Sequence, residues 1–282
     1  MIRIAIIGIV GSSVFLPVER FHEGGETVVA SDIHTEWGGK GYNQAIAAAR
    51  HGAQVSFLAA VGKRECAEIL ADATSRGIDA HLVTSEERGS PYAVIMTDAG
   101  GSNRVTVYHG AALCARDVAG FAGEIARADV LLLSNEVPEQ VNEEAIRIAR
   151  ANGVRVILNP APARPLSDTI LAGVSLFTPN EHETAGLEDR SDVVVTLGSR
   201  GCLVRESGTL IPAIRVGEVV DTTGAGDTFN GVLAVALAAG EPLQRACELA
   251  NAAAAIKVTG KFVADAIPEK QKTQSVWEKY YG

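Results

Sequence analysis

Short, continuously apolar runs alternate along the chain with alanine-rich stretches of helical length. Ile4 to Ile7, Val55 to Ala60, Val130 to Leu133, Val154 to Leu158, Leu176 to Phe177 and Val193 to Leu197 mostly lack the polar alternation of a half-solvated strand. They predict strands covered on both faces. Helices are predicted between them over Gly41 to Arg50, Glu65 to Arg76, Asn142 to Ala151 and Thr228 to Ala239, closed by Gly52, Gly77, Gly153 and Gly240. This rhythm belongs to crossover units feeding a parallel sheet, so the expected fold is an α/β three-layer sandwich with a mainly parallel central sheet. Two stretches break the rhythm. Glu26 to Glu36 and Tyr92 to Tyr108 alternate β-branched and polar residues, which suits a one-sided antiparallel sheet. They predict a small β lid made of two excursions, about 11–37 and 90–109, from one domain spanning 1–282. No internal repeat or flexible linker separates the two.

Composition narrows the function classes. With 282 residues and 47% hydrophobic content, the chain can bury one large core. Its 25 basic residues are scattered among 34 acidic ones, a net charge of -9, which argues against a nucleic-acid groove. The apolar run at Met1 to Gly8 is too short for a signal peptide, and no membrane span follows, so a cytoplasmic protein is expected. Cys66, Cys114, Cys202 and Cys247 lie far apart without a C-x-x-C pair or a histidine cluster. That spacing predicts four reduced thiols rather than a zinc site.

The most informative segment is Asp221-Thr222-Thr223-Gly224-Ala225-Gly226-Asp227-Thr228-Phe229-Asn230-Gly231, which enters a long apolar helix. Unpaired backbone N–H groups at a helix start, with the positive end of the helix dipole, can hold the negative charge that grows during phosphoryl transfer. Gly224, Ala225 and Gly226 let a phosphate approach the chain closely, and Asp227 stands where it can accept the proton of an attacking hydroxyl. In isolation a Gly-Asp pair at a helix start is more often a simple cap. A second segment, Gly38-Gly39-Lys40-Gly41-Tyr42-Asn43-Gln44-Ala45, opens the helix before Ala53 to Ala60. Its small residues would let a sugar rest on bare backbone, with Lys40 and Asn43 hydrogen-bonding its hydroxyls. It lacks the G-x-x-x-x-G-K-[ST] spacing of a Walker loop.

The first segment fills every fixed position of D-T-x-G-A-G-D-x-F-x-x-G and resembles the C-terminal signature of the ribokinase-like (PfkB) carbohydrate kinases. The second resembles that family's N-terminal signature, and the resemblance extends from about Ile4 to Pro268, closest in pattern to ribokinases. It implies ATP-dependent phosphorylation of a hydroxymethyl group on a small sugar or sugar-like alcohol, with Asp227 as base. Asn180-Glu181-His182-Glu183 resembles the family's N-x-x-E element, implying that Asn180 and Glu183 organise magnesium and phosphates through water. Thr196, Gly198, Ser199 and Gly201 match the nucleotide loop, Asn251 an adenine-contacting position and Glu136 a sugar-facing acid. The resemblance also implies a monovalent cation site, for potassium, from Asp221 and Thr223 with carbonyls near Lys257 and Gly260, although Phe262-Val263 stands where small residues are expected. A homodimer joined lid to lid is implied as well, since an exposed sheet edge calls for a partner.

Two departures accompany the resemblance. Ribokinases grip sugar hydroxyls with an N-x-D after the first strand, where this chain has Gly11 and Ser13; a serine hydroxyl holds a sugar less strongly than a carboxylate. Val14-Phe15-Leu16-Pro17 follows and is expected to form lid core. Between Glu183 and Val193 the usual helix and strand shrink to Thr184 to Asp192, room for one helical turn. A nucleoside kinase of the same family, or a sugar- or nucleotide-binding sensor without turnover, are the competing readings. A dinucleotide-binding dehydrogenase is disfavoured, because Gly8-Ile9-Val10-Gly11-Ser12 lacks the third glycine and the following helix.

Overall fold

The computed structural model of the chain describes residues 1–100 and 102–282. β1 (Arg3–Ile7), β4 (Gln54–Gly62), β5 (Ile78–Ser85), β8 (Val130–Ser134), β9 (Arg155–Asn159) and β10 (Leu176–Phe177) form a sheet in the order β10-β9-β8-β1-β4-β5. Every neighbouring pair in it is parallel. The two-residue alternation of a strand explains the three layers. Ile4 and Ile6 of β1 point into a core shared with α1 (Lys40–Arg50), α2 (Cys66–Ser75), α7 (Ala225–Ala238) and α8 (Leu243–Lys257). Ala5 and Ile7 point into a second core shared with α3 (Ala115–Gly120), α4 (Ala122–Arg127), α5 (Glu139–Ala151) and α6 (Asp168–Gly173). α9 (Lys270–Tyr280) packs on α8.

A second sheet has the order β3 (His34–Gly38), β2 (Gly11–Pro17), β6 (Tyr92–Thr97), β7 (Asn103–Tyr108). Its outer pairs are antiparallel and its central pair, β2 with β6, is parallel. Phe15 and Ile95 bury one face against the main core, while Val105 and Val107 remain 52% and 47% exposed on β7. Of the stretch 26–36 only His34 to Glu36 pairs; residues 18–33 cross the surface without a strand. A third sheet, β11 (Val194–Thr196), β12 (Cys202–Val204) and β13 (Thr209–Ile211), is antiparallel. It continues the central sheet through parallel bridges Phe177↔Val193 and Asn180↔Thr196.

Residues 184–192 contain turns and no helical turn, a difference from the sequence expectation. The strand bridge at Phe177 has closed that gap already, and the fully buried Leu187, whose carbonyl accepts from Arg205, plugs the flank. β5 escaped the apolar-run criterion because it is the sheet edge and all of its residues but Ile78 keep solvent contact. α7 starts at Ala225, three residues before the expected start.

Candidate active site

From β1 the chain builds the sheet towards β4 and β5, and from β8 it builds the other way, so the order reverses between β1 and β8. Ligand crevices open beyond the carboxyl ends of strands at such a reversal. Two helices close on this point through glycines. A Cβ on Gly41 of α1 would lie 2.7 Å from the Gly8 Cα just beyond β1, and one on Gly231 of α7 would lie 2.6 Å from both the Ala47 Cβ and the Gln44 carbonyl. Helix α7 therefore lies directly on α1. That packing brings the buried Asn43 and Asp227 together, Nδ2 donating to Oδ2 at 2.8 Å. The Asn43 Oδ1 is buried without a protein partner among the described residues, an acceptor left over for a ligand.

Asp227, Lys40 and Glu136 form one electrostatic unit. Asp227 draws the Lys40 ammonium above its ordinary range, with Glu136 and Glu183 adding to it against burial. Burial pushes Glu136 up to about 8, the Asp227 charge pushes the same way, and Lys40 and the Gly41 and Lys40 amides oppose both. The Gly41 N–H reaches the Glu136 Oε2 at 3.4 Å. Glu136 is thus shifted towards its protonated form, which can donate a hydrogen bond as well as accept one. Ser13 pairs with Glu36 across β2–β3, and its Oγ lies 2.6 Å from where a Cβ on Gly38 would stand, with the Asn43 Oδ1 3.9 Å from that point. Ser13, Gly38 and Asn43 therefore converge. Gly39, at φ 116°, caps α1 with its would-be Cβ 2.7 Å from the Ile9 carbonyl.

The start of α7 supplies the anion-binding surface. Gly224 caps it in the left-handed region at φ 73°, and a Cβ there would meet Val263 at 2.4 Å, so position 224 requires glycine twice over. A Cβ on Gly226 would meet nothing within 4 Å, so its bare backbone faces open space. The Ala225 N–H is turned to the Thr222 carbonyl at 3.2 Å. Ala225 therefore contributes no free donor, unlike the sequence expectation. Among the described residues the Gly226 and Asp227 N–H groups have no protein acceptor, as the first turn of a helix leaves them.

A cavity of about 950 Å³ runs from Lys40, Gly224, Ala225, Gly226 and Asp227 to Asn180, Glu183, Thr196, Gly198, Ser199, Gly201 and Asn251. It unites the predicted catalytic loop with every predicted nucleotide residue. The loop after β10 is self-capped: Glu183 Oε2 accepts the Asn180 N–H at 3.0 Å, and Asn180 Oδ1 accepts the His182 N–H at 2.8 Å. Of the three carboxylates lining the cavity, Glu181 is paired with Arg200 and Asp227 belongs to the α7 start, which leaves Glu183 to face magnesium, an ion that keeps most of its shell as water and phosphate oxygens. Among the described residues no group of three or more histidine, cysteine or acidic side chains could hold a metal unaided. Asn251 lines the cavity, but its Nδ2 is tied to the Ile211 carbonyl at 3.3 Å and the Tyr281 hydroxyl at 3.5 Å, joining α8 to β13 and the C-terminus. Sequence reasoning missed the apolar wall of Ile214, Val219, Ala254, Ala255 and Val258. Its one advance signal was the run of small residues on α8, which reads equally well as core.

Where the resemblance implies a potassium site, the structure places the Lys257 side chain. The carbonyl of Asp221 accepts the Lys257 Nζ at 2.9 Å. The Asp221 carboxylate is filled by the Thr223 and Phe262 N–H groups at 2.9 and 3.0 Å. A metal cation does not fit where an ammonium already stands.

The pattern of the family described as pfkB family carbohydrate kinase matches residues 1–270. The chain is 34% identical to the ribokinase of Haemophilus influenzae over 296 residues, covering 96% of each chain. It is 33% identical to the ribokinase of Bacillus subtilis over 297 residues, covering 98% of this chain and 99% of the relative. Among solved structures, the Arabidopsis thaliana ribokinase complexed with ribose and ATP superposes with a TM-score of 0.85 at 25% identity, over 99% of both chains. The Giardia lamblia ribokinase does so with a TM-score of 0.88 at 26% identity, over 99% of both.

Proposed function

The chain belongs to the pfkB family of carbohydrate kinases and is a phosphotransferase with a sugar as acceptor; from that premise we propose that it passes the γ-phosphoryl group of ATP to a hydroxymethyl group of a small sugar, with Asp227 as base. The observation that carries this assignment is the seat of Asp227: buried, oriented by the Asn43 amide and set between the free amides of α7 and the Lys40–Glu136 pair.

The acceptor oxygen gives its proton to Asp227, forms the new bond to the γ-phosphorus and displaces ADP as the bond to the bridging oxygen breaks. The Gly226 and Asp227 N–H groups face the charge that grows on the transferring group, which a preorganised helix start stabilises most where water is excluded. Lys40 balances the Asp227 charge in the resting site. Sugar hydroxyls are held by the free Asn43 Oδ1, protonated Glu136, Ser13 and the bare backbone at Gly38 and Gly39. ATP occupies the long cavity, its base against the Ile214, Val219 and Ala255 wall and its phosphates beside Thr196 to Gly201. When magnesium is bound, Glu183 and Asn180 would hold it through water, and it would supply positive charge to neutralise the phosphates.

The β2–β3–β6–β7 sheet acts as lid, and the exposed Tyr92, Val105, Val107 and Tyr108 on it support a homodimer joined there. The four unpaired cysteines are compatible with a reducing cytoplasm. Acceptor-dependent ADP formation across pentoses, deoxypentoses, hexoses and nucleosides tests the reading: a pentose or hexose is expected to stimulate turnover, and ATP hydrolysis indifferent to every acceptor would refute it.

A further inference from the structure

Lys257 ends α8 with its side chain wholly buried, 0% exposed, among the largest residues fully removed from solvent. A buried ammonium is costly unless opposite charge and hydrogen bonds meet it. Here the Nζ donates to the Asp221 carbonyl at 2.9 Å; burial pulls the ammonium below its ordinary range, and the charges of Asp221, Glu36 and Asp227 oppose that shift. No substrate-binding role is left for this lysine, since it does not line the cavity.

The surroundings are built for an ammonium and not for a metal ion. Metal cations of this kind are held by oxygens. The Val258 carbonyl is already taken by the Val220 and Asp221 N–H groups at 2.7 and 3.2 Å, and the Lys257 carbonyl by Gly260 N–H at 3.0 Å. The 262–264 loop presents hydrogens: Phe262 N–H goes to Asp221, and Val263 and Ala264 N–H go to the two Glu36 oxygens at 2.9 and 3.1 Å. Phe262 stands at φ 61°, the one non-glycine residue with positive φ among the described residues, and its ring stacks on His34 at 3.7 Å. The loop is thus locked with its donors inward.

We infer that the Lys257 ammonium is a covalently tethered substitute for a monovalent metal cation, holding the 221–223 segment that leads into Gly224 and the α7 amides, so that phosphoryl transfer in this chain is independent of potassium. Lys257 is a positioning residue. It fixes the Asp221 carbonyl while the Asp221 carboxylate fixes the Thr223 N–H, one residue before the α7 cap. The inference rests on the sugar-kinase reading for its kinetic arm only.

The test compares tetramethylammonium, sodium and potassium chloride at equal ionic strength, reading both thermal melting and acceptor-dependent turnover. The wild-type melting temperature and kcat are expected to be the same in all three salts. Activation of about tenfold or more by potassium, or a melting temperature raised by potassium alone, would overturn the inference. The melting arm stands whether or not an acceptor has been found, so its failure is separable from failure of the kinase reading. In Lys257→Ala, kcat is expected to fall about 10²-fold, as when one preorganised group is removed, with the sugar KM little changed and turnover partly restored by ammonium or methylammonium. A folded variant with unchanged kcat in tetramethylammonium would overturn the inference. Should the variant not fold, the wild-type salt comparison decides alone.

Discussion

The two ends of the cleft proposed for nucleotide and sugar are built by different means. At the proposed nucleotide end the lining comes from loops leaving strands and from the small and apolar side chains of α8 and its surroundings, and the polar contacts available are largely backbone: the turn at Gly198 to Gly201 and the self-capped Asn180–Glu183 loop. At the proposed sugar end a few buried or half-buried side chains act together: Asn43 donates to Asp227, Asp227 draws Lys40 above its ordinary range, and burial with the Asp227 charge pushes Glu136 up. A backbone site tolerates rearrangement around it as long as the chain path survives. Across the shortened 184–192 connection, Asn180, Glu183, Thr196 and Gly198 still line one cavity. A site made of coupled ionisable groups fails when one group changes, because each of the others is poised by it.

That contrast predicts an ordering of effects. Asp227→Asn removes the base and leaves the fold, so kcat should fall by about 10²- to 10⁴-fold while ATP affinity, read by calorimetry, stays within a few-fold of wild type. Gly224→Ala should follow, losing about 10²-fold in kcat and melting at lower temperature, since it forces a Cβ into Val263 and strains a left-handed position. Glu183→Gln, at the backbone-built end, should leave saturating kcat nearly intact. It should raise the magnesium concentration for half activation about tenfold, the effect of losing a supporting shell group. A full loss of activity there would break the contrast.

The smallest expected effect is on stability. The folded protein holds the Glu136 proton up to about 8, against 4.5 ordinarily. With the folded value raised, the associated stability is complete below about 4.5 and is lost as pH rises towards about 8. Glu136→Gln should therefore flatten the decline of melting temperature across that window, with little change below it. A decline as steep in the variant as in wild type would remove Glu136 from the coupled set.

Much of the cleft was legible in the sequence because its key parts are local. The 221–231 segment carries its own glycines, aspartate and helix start, so its structure follows from adjacent residues. The 38–45 segment likewise carries its cap and its polar groups within one turn. What could not be read depends on residues distant in the chain. Lys257 reads as the end of an alanine-rich helix until the fold sets it against Asp221, 36 positions away. Glu36 reads as a lid residue until Val263 and Ala264 donate to it. β5 was hidden by its edge position, which gives it polar residues on a strand of an otherwise buried sheet. Asn251, matched by resemblance to an adenine-contacting position, lines the cavity, and its amide is engaged in holding α8 against β13, a contact no local pattern encodes.

The most direct test of the central claim is to incubate wild type and Asp227→Asn with ATP, magnesium and a panel of pentoses and hexoses, and identify the products by phosphorus NMR. ADP and a sugar phosphomonoester are expected in equal amounts from wild type with at least one sugar, and neither from the variant above background. Phosphate released as inorganic phosphate alone, or equal product from the variant, would contradict it.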